Sequence, residues 1–399
     1  MINKNSKWMI VLIAIFCALP PFAIDTYSPA IPNIGSYFNI SPTEVMSTFT
    51  SYLIGYSFGI LLWGPLSDVY GRKKILIIGA CLYVISSIIC PISSSYDQLV
   101  WARLGQGFGD AACATVAMAI ARDCYSGQNL VRVLATISTI FMVAPILAPS
   151  IGVWILHATN HWQSIFHFLT FYGVLLLILS SLMPETIQQE FRINSIKSSF
   201  SHYFEHLRNR RFMLLVITVT LTSCSMFSFI GSSAIIYLKV YNTSEFMYAI
   251  LFAGNGVVII LANQLLKKLS HKFTLKELQL KSATGALITL ISGYFIISTF
   301  PQLLWIFVLI VWLNAFFTSI CANALNADAL NQISYSFGSA TSINQFSRFL
   351  FAGLANYIMS KAAYHNLNIV LILQQVIFIA AVLVLVIIEK KYFIKALKN

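Results

Sequence analysis

The chain has 399 residues, 58% of them hydrophobic and only 10% charged, with a mean hydropathy of +0.78. Soluble domains are nearer half apolar and a quarter charged, so this composition excludes a water-soluble globule and a disordered chain alike. A net charge of +12 would suggest nucleic acid in a soluble protein. Here it raises the question of where the Lys and Arg residues sit, and no nucleic-acid partner is expected.

Apolar runs recur from Trp8 to Ile388. A spanning helix takes ~20 mostly apolar residues, so twelve would use about 240 and leave roughly 160 for loops and tails. The predicted spans are 8–34, 45–66, 75–94, 99–121, 133–156 and 164–183, followed by 212–238, 246–266, 282–300, 302–324, 336–360 and 368–388. Runs of this length satisfy their backbone in lipid as helices, and the alternating segments of a spanning barrel are not seen. Pro20, Pro21, Pro29 and Pro32 either kink the first span or end it early. Lys4 and Lys7 before an apolar run imitate a signal peptide. No small-residue cleavage site precedes Asp25, and the run is read as the first span.

Twenty-one of the 25 Lys and Arg residues fall in one set of loops and tails, including Arg72, Lys73, Lys74, Arg122 and Arg132; the opposite loops hold only Lys239 and Lys361. The positive-inside rule then places both termini in the cytoplasm. The polar stretch 184–211 divides the spans six and six, giving an N-terminal bundle over 1–183, a cytoplasmic linker over 184–211 and a C-terminal bundle over 212–399. Phe200, Tyr203, Phe204 and Leu207 share one helical face in that linker, which suits a helix lying on the membrane surface. A faint repeat at an offset of 199 (Leu66/Leu265, Arg72/His271, Lys73/Lys272) agrees with two related halves.

Charges inside spans are costly, about 2.5–3.5 kcal/mol or more each at the bilayer centre. Asp25 lies in the first span, Arg103 and Asp110 in the fourth and Arg348 in the eleventh. Arg103, Gln106, Gly107 and Asp110 follow i, i+3, i+4, i+7 and share one helix face, which must look into a wet cavity or onto a partner. Between the second and third spans, Gly64-Pro65-Leu66-Ser67-Asp68-Val69-Tyr70-Gly71-Arg72-Lys73-Lys74 reads as a tight turn in which Asp68 caps a helix or pairs with Arg72. Seven cysteines show no metal or disulfide spacing. His157 and His161 lack a neighbouring acid, so no metal and no cofactor is expected.

That loop resembles the signature of the major facilitator superfamily. The likeness narrows to the bicyclomycin-resistance (Bcr/CflA) group of drug:proton antiporters through Ile24-Asp25-Thr26-Tyr27-Ser28-Pro29-Ala30-Ile31-Pro32, Ala121-Arg122-Asp123-Cys124-Tyr125 and Ala144 to Gly152. Met226 to Phe229, and Ser339 to Ser342 before Arg348, look similar too. The resemblance implies an all-α fold of twelve transmembrane helices in two pseudo-symmetric six-helix bundles that rock about a midplane cavity, acting as a monomer. It implies a cytoplasmic gate at Gly64, Asp68, Gly71, Arg72, Arg122, Asp123 and Arg348. It also implies an acid in the first span (Asp25) and an arginine in the fourth (Arg103). Asp110 stands where a small residue is expected, as a second titrating site or a countercharge for Arg103. In the fifth span, Pro145, Pro149 and Gly152 match an antiporter motif in which Ala and Ser replace several of the usual glycines.

The expected function is proton-coupled efflux of small amphipathic molecules such as drugs, with protons and substrate as partners in the bilayer. Asp25 serves as proton carrier or structural carboxylate, and Arg103 as organiser or packing residue. Candidate cavity residues are Tyr27, Tyr52, Tyr56, Gln106, Phe229, Tyr237, Asn314 and Asn344. Alternatives are export of an endogenous metabolite or siderophore, uptake by symport, and a non-transporting sensor. No GxxxxGK[ST] loop is present, so ATP is not the direct energy source, and no catalytic cluster suggests an enzyme.

Overall fold

The computed structural model describes residues 7–187, 195–333, 337–365 and 373–384. Lys4, Arg192, Lys390, Lys391, Lys395 and Lys398 lie outside them. All regular structure among the described residues is helical, and the chain divides into two compact units, Met1–His202 and Tyr203–Asn399. The first holds α1 (Lys7–Asp25), a 3-10 turn (Ser28–Ala30), α2 (Ile31–Phe38), α3 (Pro42–Tyr70), α4 (Arg72–Ile89), α5 (Tyr96–Cys124), α6 (Gly127–Thr159) and α7 (Gln163–Leu182). Helix α8 (Ile196–Arg208) runs across the division. The second unit holds α9 (Arg210–Ala234), which continues in a π-helical turn (Ile235–Val240). It also holds α10 (Glu245–Leu269), α11 (Leu275–Thr299), α12 (Leu304–Asn331), α13 (Phe337–His365) and α14 (Leu373–Val384).

Among the described residues, eight helical stretches are long and apolar enough to cross a membrane. Helix α4 opens on Arg72, Lys73 and Lys74 and is not one of these. Trp101, Trp154, Phe171, Phe246, Phe295 and Trp305 all point outward. An apolar outer surface of this kind is stable only against lipid. Inside each unit the helices are set by local chemistry at their ends. Ser41 and Glu44 form a reciprocal cap on α3, and Thr274 and Glu277 form the same cap on α11.

Three predicted features differ in detail. The first span, expected over 8–34, is one apolar helical stretch over Trp8–Phe38 that breaks after Asp25, where α1 gives way to the 3-10 turn and α2. Pro20 and Pro21 are accommodated within α1, whereas Pro29 and Pro32 are the second residues of the next two elements, where a missing N–H costs little. The junction expected as a loop over 64–74 is helical on both sides of one residue, Gly71. Its φ of +98° and ψ of 150° are open to glycine alone, so two helices turn on a single backbone unit. In α8, Tyr203 is buried while Phe204 and Leu207 are exposed, so the apolar face expected there is shared between the protein interior and the outside.

The first unit is assembled around α5, which packs on α1, α3 and α4. A Cβ at Gly107 would run into the backbone carbonyl of Tyr52, and one at Gly55 into that of Leu104. Small residues at the contact let two helix backbones touch directly, the favoured packing in lipid. Gly107→Val should therefore destabilise the first unit by about 1–3 kcal/mol, the range for overpacking. Thermal unfolding of the purified protein in detergent will read this as a lowered midpoint.

Candidate functional site

The predicted stripe on α5 is buried in the first unit, not turned to lipid. Arg103, Gln106 and Asp110 are each 0% exposed. Arg103 is gripped from three directions. Its guanidinium carbon lies 4.5 Å from the ring centroids of both Tyr27 and Tyr52, and 5.8 Å from that of Phe166. Its Nη1 donates to Gln106 Oε1, and its Nη2 donates to the Ala23 carbonyl at 3.2 Å. Gln106 in turn donates from Nε2 to Ser87 Oγ at 2.7 Å. Each desolvated cation–π contact is worth about 2 kcal/mol or more, so the pair of tyrosine rings offsets much of the cost of enclosing the charge. The ion pairs among the described residues are those of Arg72 with Asp68 and Asp123. Arg103 therefore has no carboxylate within ion-pair distance.

Both acids of this unit are buried and incompletely bonded. Asp25 closes α1 and is 4% exposed, with no hydrogen-bond partner at Oδ1. Asp110 accepts the Tyr52 hydroxyl at Oδ2 and has no partner at Oδ1. Tyr52 stacks on Tyr56 at 6.2 Å between centroids, and the Tyr27 hydroxyl lies 3.4 Å from Thr48 Oγ1. The structure thus brings together Asp25, Tyr27, Tyr52, Tyr56, Arg103, Gln106 and Asp110, seven of the residues singled out from the sequence. Ser87, Thr48 and Phe166 join them, and nothing local in the sequence marks those three. Helix α6 closes on the same region, carrying Pro145 and the buried Pro149. A Cβ at Gly152 would collide with the carbonyl of Thr26, the residue after Asp25.

The α3–α4 junction forms a second cluster. Arg72 binds Asp68 at 2.5 Å through Nη1 and Asp123 at 3.0 Å through Nε, and Nη1 also donates to Ser67 Oγ at 2.6 Å. Burial lowers the Arg72 guanidinium, but the two carboxylates outweigh it and hold the group above its ordinary value. Glu185, which sequence reasoning passed over, accepts from the backbone N–H groups of Arg72 and Lys73 at 3.0 and 3.3 Å, so it caps α4 from a distant part of the chain. Thr186 donates to Asp123 Oδ2 at 3.0 Å. Arg122 lies exposed beside this group and forms no ion pair among the described residues. Gly64 lies within α3, and Gly71 is the hinge itself.

The expected residues of the second unit do not form one cluster. Phe229 and Tyr237 meet edge to face at 6.2 Å and both touch Phe307. Phe229 and Asn314 line a small enclosed pocket with Ser225, Asn255 and Gln374. Asn344 instead donates to Asn326 Oδ1. Arg348, grouped with the gate from sequence, donates from Nε to Ser223 Oγ at 3.0 Å where α13 packs on α9. Asp328, a buried acid missed in the sequence, accepts from Gln279 and Gln332 at 3.2 and 3.1 Å.

Two substitutions test this geometry. Arg103→Lys keeps a charge but loses the planar group that lies against the two rings, and a markedly lowered thermal midpoint is expected; an unchanged one would show that the planar guanidinium adds nothing over an ammonium there. Glu185→Ala removes the cap from α4 and should cost about 0.5–2 kcal/mol, read in the same unfolding assay.

Comparison with known proteins follows the same lines. The chain is 35% identical over 263 residues to an MFS-type transporter, YdgK, of Bacillus subtilis, covering 65% of each chain. It is 30% identical over 263 residues to a bicyclomycin resistance protein homolog of Haemophilus influenzae, covering 65% of this chain and 66% of that one. The matched region thus spans about two thirds of these relatives, at 65% and 66% of their length. In fold, it matches the crystal structure of a bacterial homolog to the human lysosomal transporter Spinster with a TM-score of 0.76 at 13% identity, over 97% of this chain and 98% of that one. The sequence model of the Major Facilitator Superfamily matches residues 11–356, a stretch that takes in the charged stripe, the α3–α4 junction and most of the second unit. The chain belongs to the Major Facilitator Superfamily.

Proposed function

We propose that the protein is a proton-coupled antiporter that exports small amphipathic molecules such as drugs. The observation that carries the reading is the pair of buried acids, Asp25 and Asp110, grouped with an arginine that neither neutralises by direct contact. Enclosed charges are costly in a membrane protein and mark ion or proton pathways. An acid with one oxygen unpartnered, as at Asp25, can take up a proton or a ligand's donor at the same atom. Proton and cargo then compete for one group, and the inward proton gradient discharges the cargo outward. Arg103 organises the site by holding the Ala23 carbonyl, and hence the end of α1, beside the tyrosines.

The similarity to a bicyclomycin resistance protein homolog supports a drug as cargo. Tyr27, Tyr52 and Arg103 are occupied with one another and fully buried. We therefore assign them to the coupling apparatus, and assign further cargo contact, beyond Asp25, to Phe229 and Asn314, which line the pocket of the second unit. In this reading the protein works as a monomer in a bacterial inner membrane with both termini in the cytoplasm. Its N-terminal bundle, linker and C-terminal bundle follow the divisions 1–183, 184–211 and 212–399. The Asp68–Arg72–Asp123 cluster latches the cytoplasmic side.

Proteoliposomes loaded with ethidium and subjected to a pH gradient test the assignment. The parent protein should exchange ethidium for protons, and Asp25→Asn should abolish the pH-driven component. Undiminished exchange by that variant would refute Asp25 as the coupling acid. Accumulation in the direction of proton entry would replace antiport with symport.

A further inference from the structure

One side chain of the first unit touches both ends of the buried charge stripe. Tyr52 donates its hydroxyl to Asp110 Oδ2 and lays its ring over the Arg103 guanidinium at 4.5 Å. Arg103 passes the contact on, donating to the carbonyl of Ala23, two residues before Asp25. A continuous path thus runs from Asp110 through Tyr52 and Arg103 to the end of α1. It bridges the ~10.5 Å along the helix axis that separates positions 103 and 110. Tyr52 is 0% exposed, so its hydroxyl and ring face other residues and not water. Its backbone is pinned where α5 lies directly on it at Gly107, which leaves the side chain as the part that can move.

We infer that Tyr52 is a positioning residue that reports the protonation of Asp110 to Arg103, and through Arg103 to the segment of α1 that carries Asp25. This rests on the reading above that the buried acids bind protons. A hydrogen bond to a carboxylate is roughly twice as strong as one between neutral groups. Ionised Asp110 therefore holds the Tyr52 ring firmly on the guanidinium. An incoming proton binds Oδ1, the oxygen without a partner, and Tyr52 remains the donor to Oδ2. That bond weakens, the ring is held less firmly, and its contact with Arg103 loosens. No proton travels along the path; what is transmitted is the position of a ring.

The surroundings of Asp110 favour Tyr52 over its neighbours. The titratable groups facing the carboxyl are Cys17 from α1, Tyr52 and Tyr56 from α3, Tyr83 from α4, Tyr172 from α7, and Arg103 and Cys113 from α5 itself. Arg103 alone in this set is charged at neutral pH. Of the tyrosines in the set, Tyr52 is the one whose ring also covers Arg103.

Infrared difference spectroscopy of the full-length protein in lipid, titrated with pH, tests the inference without any cargo. The carboxylic-acid band of Asp110 is assigned by its loss in Asp110→Asn, and the guanidinium band of Arg103 by its loss in Arg103→Lys. The two bands should change with one midpoint in the parent. Tyr52→Phe keeps the ring and deletes the donor, so Asp110 should take its proton about one pH unit higher, the size expected for one bond to a charged group. The Arg103 response should then be largely lost. Asp110→Asn should abolish that response with Tyr52 still in place. An Arg103 band indifferent to pH in the parent would overturn the inference. So would a Tyr52→Phe variant that keeps both the parental midpoint and the parental Arg103 response. Failure of ethidium exchange with the infrared coupling intact would refute the export reading and leave the role of Tyr52 supported.

Discussion

A guanidinium enclosed in a hydrocarbon-embedded bundle needs something other than water around it, and in this protein that need is met mainly by two tyrosine faces. Tyr27 approaches Arg103 from the break after α1 and Tyr52 from α3, at equal distances. Gln106 and the Ala23 carbonyl take up hydrogen-bond donors at the edge of the group. Much of the first unit follows from that enclosure. Helix α5 must lie close enough for its neighbours to reach the charge, which the glycines at 55 and 107 allow. Helix α1 must end where its last carbonyls can face Arg103, and it ends at Asp25.

The placement of the two acids follows from the same constraint. Arg103 lies against the rings of Tyr27 and Tyr52, and neither Asp25 nor Asp110 forms an ion pair with it. Each retains an oxygen with no partner. A direct buried ion pair would fix both partners in their charged forms and oppose titration, because breaking it leaves an uncompensated charge. An arginine screened by aromatic rings keeps the region positive without locking either carboxyl. The cluster at the α3–α4 junction shows the opposite arrangement: Arg72 is tied directly to Asp68 and Asp123.

Residues remote in sequence complete both clusters, and this limits what could be read beforehand. The stripe of Arg103, Gln106 and Asp110 was legible because helical period alone puts the three on one face. Its burial was legible because charge in lipid is costly. That Tyr52 serves Asp110, and that Glu185 caps α4, depends on chain segments 58 and 113 positions apart, for which no local pattern exists. Asn344 was placed with the cavity by its polarity in a span, and Arg348 with the gate by the family resemblance. Polarity says that a partner is required but not which one, and the partners turned out to be Asn326 and Ser223.

From its amino-acid order alone, this protein was bound to be a helical membrane protein with costly charges in its first half. Hydropathy, helical period and the tally of Lys and Arg are properties of short windows, and they survive without knowledge of the fold. The tertiary structure decided where α1 stops and that one glycine separates α3 from α4. It also decided which rings cover Arg103 and which oxygens of Asp25 and Asp110 stay unpartnered. Those outcomes depend on how closely helices approach, and that distance is set jointly by side chains from several segments at once.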